Sequence, residues 1–525
     1  MLFLPLILPL FFQSDFSLSG GATGDNLGNA LANLGDVNGD STHDFAIGIS
    51  GDDTVAEDAG AVVVISGADG SEIHRYFGDA PLQRMGWQVC ATGDLDGDGV
   101  PDLAGAAKKD NQNGYPSGFV RIWSMATGAE IRTLTSASSF DRFGFALSNA
   151  GDVDADGIED LLVGAPEDAW QGAAAGAAFV FSGADGSLLH LFRGQDSWDM
   201  LGTASTGMGD LNLDGYADFA FSARQEDTRG RDAGAVHIYS GRTGAELVRF
   251  KGRQKNAHFG VALVRVPDLD GDGRDEIGVS ALNKLTELFD ANGYVEIWSM
   301  LDTETPLAQM AQPAMGDDFG ASLVCMDIDQ DGSGDLLIGA PRSGLITDAG
   351  LASGKIWAMS GRSGRPLLER PGSAPSEYFG SSICSAQDIN GDGRPDFVVG
   401  ASGSQGVGWV GTMHSPVFLV LQTEGALVGG QTGTLRLDGA FSQSTIFFHA
   451  SLNGWGWTTL GPHIGLDIAA PLYDLGSVVA DGQGSASLSG LVPNSLSGRT
   501  LWLQAWAGNI YGPEGSSNAL ALVIQ

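Results

Sequence analysis

Asp94-Leu-Asp-Gly-Asp-Gly-Val-Pro-Asp102 is one of seven acidic nonapeptides that recur along this chain of 525 residues. The seven copies occupy residues 36–44, 94–102, 152–160, 210–218, 268–276, 327–335 and 388–396. Their first positions are 58, 58, 58, 58, 59 and 61 residues apart. So steady a period indicates one structural unit repeated seven times.

Each nonapeptide has the same neighbours. A glycine preceded by a large apolar residue stands eight residues before the first Asp, as in Phe143-Gly144, or seven before it in the sixth copy, Phe319-Gly320. A short apolar run follows, such as Leu161-Leu-Val-Gly-Ala-Pro166, and then in most copies two β-rich runs around a turn such as Gly183-Ala-Asp-Gly186. Each period therefore predicts four short strands, A to D, and no helix.

Four antiparallel strands repeated radially form the blade of a β-propeller, so the sequence predicts an all-β, seven-bladed propeller. The seventh copy provides strands A, B and C but no partner for C. Phe16-Ser-Leu-Ser-Gly20 stands eight residues before Gly28, the spacing at which strand D of one blade precedes the next blade. We therefore expect the N-terminal strand to complete the last blade and close the ring, which leaves no open sheet edge.

The nonapeptide has the composition of a calcium loop. Its positions 1, 3, 5 and 9 carry side-chain oxygens, its position-7 carbonyl is available, and Ca²⁺ takes six to eight oxygen ligands. Position 6 needs positive φ and is Gly in six copies, but Ser41 in the first. A plain acidic turn is disfavoured because three or four carboxylates in one loop repel each other without a cation. An EF-hand is disfavoured because strands, not helices, flank the loop.

The predicted ligands bind up to seven Ca²⁺ ions, one per loop. They are Asp36, Asn38, Asp40 and Asp44; Asp94, Asp96, Asp98 and Asp102; Asp152, Asp154, Asp156 and Asp160; Asp210, Asn212, Asp214 and Asp218; Asp268, Asp270, Asp272 and Glu276; Asp327, Asp329, Asp331 and Asp335; and Asp388, Asn390, Asp392 and Asp396. Loops one, four and seven carry neutral Asn at position 3.

The overall charge restricts the partners. The chain has 27 Lys and Arg against 64 Asp and Glu, a formal charge of −37. Such a chain repels phosphate backbones and anionic headgroups, so no nucleic-acid partner is expected. The acidic positions of the nonapeptides account for much of this excess.

The two ends of the chain differ from the repeat. The apolar run Met1–Phe12 is too short to span a bilayer and predicts a signal peptide over residues 1–15. No second apolar run has spanning length, so no integral membrane segment is expected. The propeller is expected over 16–414 and a small β-sandwich-like domain over 415–525. Cys90, Cys325 and Cys384 lie in apolar runs and are expected to be buried free thiols.

The apolar-Gly pair, the acidic nonapeptide and Gly-Ala-Pro together resemble the FG-GAP repeats of integrin α-subunit propellers and their bacterial relatives. The resemblance covers about residues 16 to 414, with Ser222 and Ser280 as departures where the second motif expects Gly. Because all seven loops keep metal-binding residues, a bacterial exported member is the better match. The resemblance implies extracellular, calcium-stabilised recognition or adhesion.

The predicted function is binding rather than catalysis, by a monomer that is secreted or held at the cell surface. A protein or glycan partner is expected on the face opposite the nonapeptides, where loops vary from blade to blade. The candidate contact residues there are Tyr115, Phe140, Trp170, Trp198, Tyr378, Arg224, Arg229 and Arg231. The alternatives are a secreted enzyme acting on polysaccharides and a purely structural scaffold. The eight histidines show no zinc-like spacing.

Overall fold

The computed structural model describes residues 17–413, except 23, 111–116, 137–140, 228, 283, 287–288, 291–292, 312–316, 345–352, 375, 391–392 and 404–407, and ten strands beyond them. The described residues form strands and turns without an α-helix. Among them no helix is long and apolar enough to cross a membrane. The predicted signal peptide lies outside the described residues. The chain divides into two compact units, Met1–Ser415 and Pro416–Gln525.

Unit 1 contains seven four-stranded antiparallel sheets, the blades of the predicted propeller. The chain enters with β1 (Ser17–Ser19). Blade 1 consists of β2 (Leu27–Gly35), β3 (Asp44–Ile49), β4 (Ala61–Ile65) and β5 (Glu72–Phe77). Blade 2 consists of β6 (Met85–Ala91), β7 (Leu103–Asp110), β8 (Ser117–Trp123) and β9 (Glu130–Thr135).

Blades 3 to 5 repeat this order. Blade 3 consists of β10 (Ala146–Gly151), β11 (Asp160–Ala165), β12 (Ala177–Phe181) and β13 (Leu188–Arg193). Blade 4 consists of β14 (Leu201–Gly209), β15 (Asp218–Ala223), β16 (Ala235–Tyr239) and β17 (Glu246–Lys251). Blade 5 begins with β18 (Leu263–Val266) and β19 (Glu276–Ala281), which are followed by a hairpin of β20 (Lys284–Thr286) and β21 (Phe289–Asp290). It ends with β22 (Tyr294–Trp298) and β23 (Ala308–Ala311).

The last two blades close the ring. Blade 6 consists of β24 (Ser322–Met326), β25 (Asp335–Ala340), β26 (Lys355–Met359) and β27 (Pro366–Pro371). Blade 7 consists of β28 (Phe379–Ser385), β29 (Phe397–Ala401) and β30 (Trp409–Met413). Its fourth strand is β1, which pairs antiparallel with β30 and places Leu18 opposite Val410. The prediction that the N-terminal strand completes the last blade is confirmed.

The core lies between neighbouring blades. Strands B and C are buried along almost their whole length, as in the fully buried Asp160–Ala165. Phe143 of blade 3 is completely buried in one cluster with Ala106 of blade 2. It also meets Phe179 and Phe181 of its own blade edge-on, with ring centroids 5.3 and 5.9 Å apart. Strand A of each blade contacts strand A of its neighbours, so the A strands surround the axis of the ring.

The outer strands also link the blades, through the histidines among other residues. Nε2 of His74, in strand D of blade 1, lies 3.1 Å from the Met125 carbonyl in blade 2. Nε2 of His190, in blade 3, lies 2.6 Å from the Gly241 carbonyl in blade 4. These two histidines therefore serve as structural hydrogen-bonding groups between blades.

The strand-C tryptophans and the cysteines can be located in the fold. Trp123 and Trp298 of strand C are buried, and Trp357 packs against the core, so all three contribute to blade packing. Cys384 is a buried free thiol, but Cys90 and Cys325 are free and only partly buried, which corrects the expectation for those two residues. All three cysteines lie in strands A, and the residues next to Cys384 in β28 are more buried than those around Cys325 in β24.

The C-terminal unit contains ten strands. They are β31 (Val420–Thr423), β32 (Thr432–Asp438), β33 (Thr445–Ser451), β34 (Trp455–Gly461), β35 (Ile464–Ile468), β36 (Tyr473–Val479), β37 (Ala486–Leu491), β38 (Thr500–Asn509), β39 (Gly512–Ser516) and β40 (Leu520–Val523). One sheet has the order β31-β32-β37, a second has β36-β33-β38-β39 with β40 also paired to β38, and β34 pairs with β35. The sandwich-like packing of these sheets stays a prediction.

Candidate metal centres

Each nonapeptide joins strand A to strand B, and its first carboxylate organises the loop. In loop 2 the Asp94 carboxylate accepts hydrogen bonds from the backbone N–H groups of Gly97, Asp98 and Gly99 at 2.8, 3.0 and 2.8 Å. The Asp36 carboxylate of loop 1 makes the same contacts. One aspartate thus folds the next five residues into a compact turn.

The ninth residue begins strand B or immediately precedes it, and it ties the loop to the turn between strands C and D. Asp102 is fully buried; its Oδ2 accepts from Leu95 N at 2.8 Å and its Oδ1 from Met125 N at 3.2 Å. Asp160 and Asp218 make the equivalent pair of contacts. The nonapeptide and the C–D turn therefore share one face of the propeller, which we call the nonapeptide face.

Four loops bring carboxylates close enough together to hold a metal ion. One oxygen from each member lies within 4.8 Å of the others in these groups: Asp94, Asp96 and Asp102; Asp152, Asp154 and Asp160; Asp327, Asp329 and Asp335; and Asp268, Asp270, Asp272 and Glu276. Positions 1, 3 and 9 are common to all four groups. Position 5 joins only in loop 5, although in all four loops its Oδ1 accepts a backbone N–H two residues later.

Loop 5 fits a cation by an additional criterion. Oε1 of Glu276 and Oδ2 of Asp272 are buried without a hydrogen-bond partner. Burial, with Asp270, Asp268 and Asp272 nearby, raises the pKa of Glu276 to about 8. Two orphaned carboxylate oxygens inside an acidic cluster are the donors that a hard cation requires, and it would offset their repulsion.

The ninth residues of other loops also have raised pKa values. Burial raises the pKa of Asp44, Asp102 and Asp160 to about 6 and that of Asp335 to about 7. For Asp335 the charge of Asp329 adds to the effect of burial. At neutral pH the ionised form of these buried carboxyl groups therefore carries a free-energy penalty, and a bound cation would offset it.

Loops 1 and 4 reduce their repulsion internally. In loop 1 the side-chain amide of Asn38 donates to Asp40 at 2.9 Å and to Asp44 at 3.3 Å. In loop 4 the amide of Asn212 donates to Asp218 at 3.3 Å. Among the described residues neither loop forms a cluster of three acids, so their role as cation sites stays a prediction. The amide must turn its oxygen inward before either Asn can act as a ligand.

Loop 7 is only partly described, because Asp392 lies outside the described residues. Its Asp388 carboxylate accepts from Gly393 N at 2.6 Å, and Asp396 accepts from Ile389 N at 3.0 Å. These contacts match those of the first and ninth residues in the other loops. The ligand role of Asp388, Asn390 and Asp396 stays a prediction.

The backbone of the nonapeptide has the predicted positive φ at position 6, and it has positive φ at position 4 as well. Every residue at position 6 has positive φ, including Ser41 at 73°. Position 4 also has positive φ in all six loops where it is described, with Leu213 at 61° and Gln330 at 59°. Sequence reasoning missed position 4, although Gly occupies it in four of the seven copies.

The two short motifs around each nonapeptide meet across blade interfaces. Gly164 lies in the Gly-Ala-Pro segment of blade 3, and Gly202 is the second residue of strand A in blade 4. A Cβ added to Gly164 would lie 2.0 Å from the Gly202 carbonyl oxygen. The same approach joins Gly48 to Gly86, Gly339 to Gly380 and Gly400 to Gly28.

Comparison with known proteins finds a family whose repeats coincide with the blades. The family described as FG-GAP repeat matches residues 85–123, 143–181, 202–239 and 379–411, which lie in blades 2, 3, 4 and 7. The chain is an integrin α-like FG-GAP repeat protein. That it is a bacterial member stays a prediction.

The curated relatives of this FG-GAP protein include integrin α subunits. Over 37 % of the chain it is 29 % identical to integrin alpha-5 of Xenopus laevis, and the match covers 20 % of that protein. It is 28 % identical to integrin alpha-V of Gallus gallus over 42 % of the chain and 22 % of that protein. It is 32 % identical to integrin alpha-PS2 of Drosophila melanogaster over 36 % of the chain and 15 % of that protein. The chain thus spans about a fifth of the length of these relatives.

Three blades lack the glycine of the Gly-Ala-Pro motif in strand B, and the interface with the next blade differs there. Ala106, Ser222 and Ser280 replace it in blades 2, 4 and 5, and the strands A that follow begin later, at Ala146, Leu263 and Ser322. Parallel bridges between blades, such as Gly176 with Leu201, occur at the four glycine interfaces and at none of these three within the described residues. The parallel bridge is therefore lost where a side chain occupies this position, although Phe259 N still donates to Ala233 O at 3.0 Å between blades 4 and 5.

The candidate contact residues have different surroundings. Trp170 is 74 % and Trp198 61 % exposed; they lie on adjacent loops of blade 3, where Trp198 N donates to Ala173 O at 2.8 Å. Tyr378 and Arg224 are half-buried, Arg229 pairs with Glu304 at 2.7 Å, and the exposed Arg231 pairs with Asp232 at 3.2 Å. Tyr115 and Phe140 lie outside the described residues.

Proposed function

We propose that this FG-GAP protein is a calcium-binding recognition or adhesion protein of the cell exterior. Calcium is held by the nonapeptide loops, and a protein or glycan partner binds the loops of the face opposite them. The observation that carries the proposal is the set of four acidic clusters, one of which contains two buried carboxylate oxygens without partners. The proposal assigns the chain no catalytic role and expects it to act as a single copy.

Two further features support this proposal. The position-9 carboxylates are buried at the junction of strand B and the C–D turn, so a bound cation would stabilise the blade itself as well as the loop. The relatives are integrin α subunits, and the resemblance implies recognition outside the cytoplasm. The predicted signal peptide is consistent with that location.

A thermal melt of the full chain tests the calcium component. A cation that binds only the folded state raises the midpoint by mass action, so we expect a higher midpoint in millimolar Ca²⁺ than in EDTA, and a smaller rise in Mg²⁺. The double variant D268N/E276Q should lose part of the rise, whereas D227N, outside every nonapeptide, should retain it. Equal midpoints in Ca²⁺ and EDTA would refute calcium binding.

Capture from cell-surface extracts tests the recognition component. The immobilised chain should retain a partner in Ca²⁺ and release it in EDTA, provided that calcium orders the propeller. The variant D268N/E276Q should retain less partner at limiting Ca²⁺, and D227N should match the unaltered chain. Retention that is identical with Ca²⁺ and EDTA would contradict calcium-dependent recognition.

A further inference from the structure

Four basic side chains gather near the axis, on the face opposite the nonapeptides. Arg84 immediately precedes strand A of blade 2, and Arg142 lies on the segment that leads into strand A of blade 3. Lys108 ends the buried part of strand B in blade 2, and Arg224 follows strand B in blade 4. We call Arg84, Lys108, Arg142 and Arg224 the axial basic cluster. Because strands A surround the axis and strands B pair with them, the cluster lies at the mouth of the central channel.

Lys108 and Arg224 stand at a signature position of the repeat. The Gly-Ala-Pro motif places Pro166 and Pro341 there in blades 3 and 6, whereas blades 2 and 4 carry Ala-Ala-Lys and Ser-Ala-Arg. The two substitutions flank blade 3, which carries Arg142. Three consecutive blades thus contribute cations to one sector of an otherwise strongly acidic protein.

Only half of the cluster is neutralised by acidic partners. Arg84 pairs with Asp58 at 2.8 Å and Arg142 with Glu167 at 3.0 Å. Within the part of the chain that the structure describes, neither Lys108 nor Arg224 has a carboxylate within 4.0 Å, and Nε of Arg224 is buried without a hydrogen-bond partner. Lys108 instead lies with Nζ 3.2 Å from the ring centroid of Trp87, and Arg224 donates to the Met200 sulfur at 3.5 Å.

The cations act on one another electrostatically. Burial, reinforced by Arg84, Arg142 and Lys109 and opposed in part by the charge of Glu167, lowers the pKa of Lys108 to about 8. Burial, reinforced by Arg142 and again opposed by Glu167, also lowers the pKa of Arg224. An incoming negative charge would relieve this repulsion and meet donors that are already positioned, which is the condition for a strong charge-assisted hydrogen bond.

We propose that the axial basic cluster binds the carboxylate side chain of an acidic loop on a partner protein, through Lys108 and Arg224. This inference rests on the proposed recognition role and names the partner chemistry. A long polyanion fits less well, because only two cations lack a directly paired carboxylate and the surrounding loops expose Asp53, Glu57 and Asp227, which would repel its remaining charges.

Peptide retention on the full chain, immobilised in Ca²⁺, tests the proposal. The probes are two end-blocked heptapeptide pools, randomised except for a central Asp in one and a central Asn in the other. We expect the Asp pool to be retained at least about threefold better, because the charged side chain makes the stronger hydrogen bonds. The variant K108Q/R224Q should lower Asp retention to the level of the Asn pool, and R242Q, at an exposed arginine of the C–D turn of blade 4 on the nonapeptide face, should leave it unchanged.

The controls separate the outcomes. K108M/R224M keeps the apolar stems of both side chains and should lose selectivity like the Gln variant, with an unchanged thermal midpoint in Ca²⁺. Equal retention of the two pools, or Asp retention unaffected by both double variants, would overturn the inference. The retained Asp pool can also be displaced with a competitor in solution. If oligogalacturonate displaced it more strongly than free Asp peptide did, the choice of a protein partner would be overturned. A preserved Ca²⁺-dependent melt in any of these cases would show that the proposed function itself has not failed.

Discussion

Gly164 of blade 3 and Gly202 of blade 4 lie so close that a Cβ on Gly164 would stand 2.0 Å from the carbonyl oxygen of Gly202. These two glycines belong to different repeats and to the two halves of the FG-GAP signature. The signature is therefore an interface motif: the second half of one repeat receives the first half of the next. Where Ala or Ser replaces the strand-B glycine, the parallel bridge between blades is not seen within the described residues.

We predict that Gly164→Ala destabilises the propeller. The methyl group would enter backbone that cannot move without separating blades 3 and 4, and overpacking of this kind costs about 1–3 kcal/mol. Chemical denaturation in Ca²⁺ measures the change in unfolding free energy. The matched control is Ala106→Gly, at the equivalent position of blade 2, which removes a methyl at an interface where no parallel bridge is seen within the described residues. An unfolding free energy for Gly164→Ala equal to that of the unaltered chain would contradict the interface role.

We predict that Leu213→Gly and Ser41→Gly each stabilise the chain. Leu213 has φ of 61° with a side chain that is 74 % exposed, and Ser41 has φ of 73°. Left-handed backbone costs a non-glycine residue about 1–2 kcal/mol, and the greater entropy of unfolded Gly offsets only part of it. The expected gain in the free energy of unfolding is a few tenths of a kcal/mol to about 1 kcal/mol, and chemical denaturation measures it as a higher midpoint. Gly99→Ala, at position 6 of loop 2, should shift the midpoint the opposite way.

We predict that Asn38→Asp changes stability in opposite directions with and without calcium. The substitution removes the amide donor to Asp40 and Asp44 and adds a fourth carboxylate to loop 1. Repulsion should lower the midpoint in EDTA, while a more anionic ligand set should raise Ca²⁺ affinity. Paired melts in EDTA and Ca²⁺ measure both effects. Asp270→Asn in loop 5 is the reciprocal control, and a rise for Asn38→Asp in EDTA would contradict the prediction.

We predict that His237 makes stability fall as pH rises above neutrality. Its Nε2 and Nδ1 lie 2.7 and 2.8 Å from carboxylate oxygens of Glu226 and Glu246, so both ring nitrogens donate only when the imidazole is charged. Burial opposes that charge, but the two hydrogen bonds outweigh it and raise the pKa of His237. Burial also opposes the charge of Glu246, yet His237 and Arg249 lower its pKa to about 2.

The sign of the pH effect follows from linkage. A raised histidine pKa stabilises the fold fully below the unfolded value of about 6.5, and this contribution is lost as pH rises through the folded pKa. Thermal melts across pH 5 to 9 should show that loss in the unaltered chain. His237→Val removes the titrating imidazole and should therefore flatten the pH profile of the thermal midpoint. Val is accommodated at the equivalent position of blade 1, where Val63 has Asp52, Glu72 and Arg75 around it. Identical profiles for the two proteins would contradict this role of His237.

Much of the architecture followed from the period alone. The number of blades, the four strands of each and the closure by residues 17–19 are consequences of local strand and turn patterns repeated at a constant spacing. The clustering of positions 1, 3 and 9 also followed, because those residues lie within one loop. Position 4 was missed because its positive φ is met by Ala, Leu and Gln as well as by Gly.

The sequence by itself determined a seven-bladed propeller with acidic loops, since strands, turns and loop carboxylates depend on residues near each other in the chain. Only the tertiary structure decided that Gly164 meets Gly202, that Asp102 accepts from Met125, and that Lys108 and Arg224 join one basic cluster. The physical reason is that these relationships join separate strands and blades. Their distances depend on how sheets pack and how the ring closes, which no local pattern encodes.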